Sequence, residues 1–175
     1  IMTKSTSLAL DQKDIDTILV IDFGSQYTQL IARRVRELDV FSEILPWDIS
    51  PERIKDLNPT GIILSGGPES VTILNTPRIP EIVFNLDVPI LGICYGMQTL
   101  AEQFGGQVTS SKAKEFGHAE IVIEETSVLF EGFSSGSSID VWMSHGDHVS
   151  TLPDKFKLVA STPSAPIAAM QHSEK

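Results

Sequence analysis

Cysteine is almost missing from this sequence: Cys94 is the single one among 175 residues. An internal disulfide and a multi-thiolate metal site are thereby excluded, and a reducing, cytoplasmic setting fits. Basic side chains are scarce as well, 13 against 23 acidic ones, for a formal net charge of −10. That balance argues against nucleic acid as a partner but does not exclude a nucleotide bound in a local pocket. No apolar run approaches the roughly 20 residues a membrane helix needs, so no membrane partner is expected. No apolar leader is visible either; Ile1 to Asp16 is polar and reads as a flexible tail. What is present is ordinary, 41% hydrophobic and 21% charged residues. The length suits one domain with its own core, over residues 17–175.

Along the chain, short β-branched runs alternate with helical patterns. Thr17-Ile-Leu-Val-Ile-Asp22 reads as a buried strand, and Phe23-Gly24-Ser25 as a turn with Ser25 as N-cap. From Gln26 to Leu38 the period becomes helical, with Tyr27, Leu30, Ile31, Val35 and Leu38 on one face and a solvated face of Arg33, Arg34 and Arg36. Phe41 to Leu45 is a second strand. Ser50-Pro51 opens a short helix, serine capping and proline at the first helical position. Gly61 to Ser65 and Pro89 to Ile93 are further strands, Ile79 to Leu86 a possible helix, and Gly96 to Phe104 a helix stopped by Gly105-Gly106. This alternation predicts a parallel sheet covered on both faces, whose ligands sit beyond the carboxyl ends of the strands. After Gly106 the pattern turns to strands. His118 to Glu124 alternates, with Ala119, Ile121 and Ile123 on one face, and Ile139 to Met143, Phe156 to Ala160 and Ile167 to Met170 follow. They read as antiparallel strands added to the same domain.

The unusual residues lie at the strand tips. Gly92-Ile93-Cys94-Tyr95-Gly96 places a nucleophile between two glycines, after a strand and before a helix, the arrangement of a nucleophile elbow. The chain must reverse sharply with the central residue strained, and a side chain at either flank would clash. The thiol then stands at a helix N-terminus, where free N–H groups and the dipole favour thiolate, and the Tyr95 N–H faces a developing oxyanion. The competing reading is a cysteine buried at a strand end. Ser65-Gly66-Gly67-Pro68 either presents backbone donors beside Cys94 or is a plain turn. Trp142-Met143-Ser144-His145-Gly146-Asp147-His148 reads as a polar loop behind an apolar strand. It suits a metal site, a catalytic histidine or a substrate-shaping loop, although its His-x-Asp-His spacing is not an established ligand pattern. His118 reads as a solvated histidine.

On Ile21-Asp-Phe-Gly-Ser-Gln-Tyr27, Ile63-Leu-Ser-Gly-Gly-Pro-Glu69, Gly92-Ile-Cys-Tyr-Gly-Met-Gln98, Glu115-Phe-Gly117 and Trp142-Met-Ser-His-Gly-Asp147, the chain resembles the class I glutamine amidotransferase domain of GMP synthases, nearly throughout from Thr17. The resemblance implies a flavodoxin-like α/β three-layer sandwich, with a mostly parallel central sheet and added antiparallel strands. It implies that Cys94 attacks the side-chain amide of glutamine and forms a glutamyl thioester. Gly67 and Tyr95 would donate backbone N–H groups to the oxyanion, and Gln98, Ser144 and His145 would help hold glutamine. Ammonia would pass to an ATP pyrophosphatase domain of the same polypeptide, which with ATP and Mg²⁺ aminates xanthosine monophosphate to GMP, in a ligase that is a homodimer at full length. No cofactor or metal is implied for this domain itself.

The family's general base and its orienting carboxylate lie in a His-Pro-Glu motif after a Tyr-Gly-Val-Gln-Phe-like run. Neither occurs here. His172-Ser173-Glu174 has the spacing but lacks the apolar strand that should precede it. The domain is therefore expected to be C-terminally incomplete and, alone, nearly inactive, with the ATP pyrophosphatase and dimerisation regions absent. Two other readings stand beside this one: a binding or regulatory module on the same fold, and the amidotransferase of another ammonia-using synthetase.

Overall fold

In the computed structural model, which describes residues 15–174 apart from the side chains of residues 111–116 and 145, the apolar run Thr17–Asp22 forms strand β1. The tail expected over residues 1–16 lies, through residue 14, outside the described residues. Strand β2 is Phe41–Pro46, β3 is Gly61–Leu64 and β4 is Ile90–Gly92. They hydrogen-bond in the order β2-β1-β3-β4, every pair parallel. Helices α1 (Thr28–Arg36) and α2 (Pro51–Leu57) make the crossovers from β1 to β2 and from β2 to β3, a short 3₁₀ turn lies between β3 and β4, and helix α3 (Tyr95–Gln103) follows β4. Strand alternation sends Leu19, Ile21, Ile62 and Leu64 to one face, where they meet Ile54 of α2, Val83 and Tyr95 in the main core. Burial of this kind stabilises by about 1.5–3 kcal/mol per large side chain. Val20 is buried on the opposite face, and α1 packs beside β1 and β2. The result is the three-layer α/β arrangement read from the sequence.

Local chemistry explains the boundaries. Ser50 accepts a hydrogen bond from the Arg53 N–H at 3.3 Å, with Pro51 in the first turn, so α2 starts where the capping pattern predicts. Helix α1 is shorter than the Gln26 to Leu38 expected, and it faces differently. Thr28 and Ala32 are buried, while Tyr27, Leu30 and Leu38 are exposed, so its small residues seat it on the sheet. Ser25 does not cap it; Ser25 Oγ accepts from the Tyr27 N–H at 3.0 Å in a turn before the helix. Arg33 and Arg34 form the solvated face, paired with Glu37, but Arg36 reaches the Ser42 carbonyl at 2.8 Å. The segment expected as a possible helix at Ile79 to Leu86 is a short 3₁₀ turn, Glu81–Asn85.

The second half forms a sheet of its own rather than widening the first. Strands β5 (Gln107–Ile123), β6 (Ser138–Thr151), β7 (Phe156–Ser161) and β8 (Ala169–His172) run antiparallel in the order β6-β5-β7-β8. The alternation read at His118 to Glu124 holds, with Ile121 and Ile123 buried and Ile121 packed on Val159 and Ala160. Trp142 to His148 is not a loop: it lies within β6 and pairs with β5, with a register shift opposite His145 and Asp147. No helix among the described residues is long and apolar enough to cross a membrane.

Candidate active site

Cys94 follows β4 directly and stands as the residue before α3, with φ 49° and ψ −111°. A side chain in that region of positive φ is strained, by about 1–3 kcal/mol, and persists only where its neighbours over-determine it. The two flanking glycines do that. A Cβ on Gly96 would lie 2.5 Å from the Leu64 carbonyl oxygen, and one on Gly92 would lie 2.8 Å from the Met97 backbone. The Gly96 N–H donates to the Ser65 and Ile93 carbonyls at 3.0 Å each, and the Ile93 N–H to Leu64 at 3.0 Å. The elbow is thus stitched to the tip of β3. Cys94 itself is exposed, so the reading of a cysteine sealed in the core does not hold.

Beside it runs the turn Ser65-Gly66-Gly67. A Cβ built on Gly66 would lie 3.7 Å from Cys94 Cβ and 3.5 Å from Ser25 Oγ, while one on Gly67 would strike the Phe23 carbonyl oxygen at 2.7 Å. The tips of β1, β3 and β4 therefore converge on the thiol, as expected for a parallel sheet. Among the described residues the N–H groups of Gly67 and Tyr95 have no acceptor. The Tyr95 side chain plays a different part: it is buried against Phe23, ring centroids 5.3 Å apart, and its hydroxyl donates to the Pro77 carbonyl at 2.6 Å. Arg78 pairs with Glu102, and the Gln103 amide grips both the N–H and the carbonyl of Ile79, at 2.9 and 3.1 Å. The irregular segment after Gly67 is thereby strapped to α3.

Gln98, one turn into α3, is only 6% exposed, and its Nε2 donates to the Asp147 carbonyl at 2.8 Å. This bond ties the nucleophile helix to β6, the strand that carries Ser144 and His145. Ser144 is exposed; the His145 side chain lies outside the described residues. Asp147 Oδ1 accepts from Ser110 at 2.7 Å, and His148 Nε2 lies 3.3 Å from Thr109 Oγ1. Asp147 and His148 are thus engaged with β5, and no group of three potential metal ligands occurs among the described residues. His118 is exposed, as expected, beside Asp140 at 2.9 Å. His172 stacks edge-on against Phe156, and Glu174 sits 3.6 Å from Lys155, so neither contacts Cys94.

Burial pushes the Cys94 thiol up from its ordinary value. The residue opens to solvent on one side, yet the strand tips packed round it remove enough water to disfavour the anion. This desolvation works against the thiolate that the helix N-terminus would favour. No hydrogen bond reaches Cys94 Sγ from the described residues. The arrangement offers a strained, accessible nucleophile with two unused backbone donors at its side, the requirements of acyl transfer. The hydroxyl bond of Ser65 to Phe23, and the nearness of Ser25 to Gly66, give no signal in the sequence because they join residues of different strand tips.

Comparison with known proteins agrees. The family model for glutamine amidotransferase class-I matches residues 19–175. A GMP synthase [glutamine-hydrolyzing] of Hahella chejuensis is 59% identical over 165 residues, 90% of this chain and 31% of the relative. The enzyme of the same description in Teredinibacter turnerae is 58% identical over 164 residues, with the same shares of each. The chain thus spans about a third of the length of the curated relatives it matches. Among solved structures, a protein of Thermoplasma acidophilum, described as a candidate GMP synthase subunit, superposes with TM-score 0.80 at 33% identity, over 92% of this chain and 80% of that one. A glutamine amido transferase of Methylobacillus flagellatus, at TM-score 0.69 and 20% identity over 90% of this chain and 65% of that one, shares the fold. With its elbow cysteine, parallel sheet and matched length, the chain belongs to the class I glutamine amidotransferase family.

Proposed function

We propose that this chain, as the domain 17–175, is the glutamine-hydrolysing unit of a GMP synthase acting in the cytoplasm. The observation that carries the reading is the strained, exposed Cys94 beside a glycine turn with unused N–H donors. The Cys94 sulfur, once deprotonated, attacks the side-chain amide carbon of glutamine. The carbonyl oxygen becomes an oxyanion held by the N–H groups of Gly67 and Tyr95. The C–N bond then breaks, ammonia leaves with a proton from the general acid, and a glutamyl thioester remains. Water cleaves the thioester to glutamate and regenerates the thiol. Gln98, anchored to β6, with Ser144 and His145 on that strand, would hold the glutamine; loss of the Gln98 anchor would disturb both sides of the pocket.

The relatives' description supplies the destination of the ammonia. In the full-length protein it would aminate xanthosine monophosphate in an ATP pyrophosphatase domain that uses ATP and Mg²⁺, within a homodimer. The test is labelling with the glutamine analogue diazo-oxo-norleucine. One adduct on Cys94 is expected, lost in Cys94→Ser and blocked by glutamine. Labelling that ignores glutamine would remove the glutamine site. A full-length protein that spends glutamine nitrogen on an acceptor other than xanthosine monophosphate would belong to a different synthetase.

A further inference from the structure

Ser65 is 0% exposed and ends the run that leads into the Gly66–Gly67 turn. Its main chain is already committed: its N–H donates to the Ile21 carbonyl and its carbonyl accepts from the Gly96 N–H, both at 3.0 Å. Its hydroxyl makes two further bonds, with the Phe23 N–H at 3.1 Å and with the Gly66 carbonyl oxygen at 2.9 Å. The direction of these two is fixed by chemistry. An N–H can only donate, so Ser65 Oγ is the acceptor from Phe23. The one hydroxyl proton is then free for the Gly66 carbonyl.

The consequence lies one bond further on. The Gly66–Gly67 peptide is trans, so its carbonyl and its N–H point in opposite directions from one plane. Holding the Gly66 oxygen toward Ser65 aims the Gly67 N–H away from it. Two successive glycines leave that plane free to rotate unless something pins it. We propose that Ser65 is a positioning residue, whose buried hydroxyl fixes the Gly66–Gly67 peptide plane so that the Gly67 N–H faces the oxyanion formed at Cys94. The inference rests on the amidotransferase reading above and deepens it. Ser65 touches neither substrate nor sulfur; it acts through the peptide it holds.

Two reactions of the same sulfur separate this role from a structural one. Glutamine hydrolysis passes through an oxyanion; alkylation by iodoacetamide needs only an accessible, ionisable thiol. In the full-length protein, Ser65→Ala is expected to lower kcat for ammonia release about 10–100-fold, less than outright loss of an oxyanion donor. KM for glutamine and the Cys94 alkylation rate should stay within about two-fold. Should Ser65→Ala not fold, Ser65→Cys, close in size and a poorer donor, replaces it, with alkylation of Cys94 located by mass spectrometry. An unchanged kcat overturns the inference. So does a parallel fall of hydrolysis and alkylation, which would mean that Ser65 merely holds the elbow together. If the unsubstituted protein releases no ammonia from glutamine, the amidotransferase reading fails first, and this inference with it.

Discussion

At the scale of the residue, Cys94 is a thiol whose surroundings oppose its ionisation. Burial raises its pKa, so the folded chain holds the thiol proton more tightly than the unfolded chain does. The stabilising contribution of this group is therefore complete below the ordinary thiol value and is lost as pH rises through the folded one. In the isolated chain, the iodoacetamide reaction of Cys94 should keep accelerating beyond pH about 8.5, the midpoint of a free cysteine. A pH–rate midpoint at or below that value would show that the helix N-terminus dominates after all. Gly96 is the companion residue. Because its Cβ would sit 2.5 Å from the Leu64 carbonyl, Gly96→Ala should destabilise the chain by about 1–3 kcal/mol or more, read from a denaturant midpoint.

At the scale of the element, α3 couples the two sheets. It begins at the elbow, packs on the parallel sheet and reaches β6 through the Gln98–Asp147 bond. Gln98→Leu leaves the Asp147 carbonyl without that donor and should cost about 1–3 kcal/mol. Hydrogen exchange should rise in residues 144–148 while β1 stays protected; uniform exchange changes, or none, would mean that the bond does not couple the elements. The elements themselves are legible to different degrees. β1, α2 and the elbow announce themselves because their signals are local: a β-branched run, a serine followed by proline, two glycines round a cysteine. The facing of α1 does not, since Tyr27 and Leu30 continue its apolar stripe while Thr28 and Ala32 make the contact. Trp142 to His148 reads as a loop because polar side chains on a strand with one exposed face resemble a loop in composition. The convergence of Cys94 with the Gly66 turn is legible, because parallel strand tips must meet; Ser65's bonds to Phe23 and Gly66 are tertiary and leave no pattern.

At the scale of the whole molecule, no described residue hydrogen-bonds the Cys94 sulfur, so on the proposed reading the thiol lacks a general base among its described contacts. Loss of general acid–base help typically costs about 10²–10⁴-fold. Residues 1–175 alone should therefore release ammonia from glutamine slower than the full-length protein by about that factor; equal rates would locate the base within this chain. The backbone at Cys94 adds a further consequence. Its φ of 49° belongs to the territory of glycine, yet the chain keeps a sulfur there. Cys94→Gly should consequently melt at a higher temperature than the natural chain while doing no chemistry, so selection for robustness and selection for reactivity pull this one position in opposite directions.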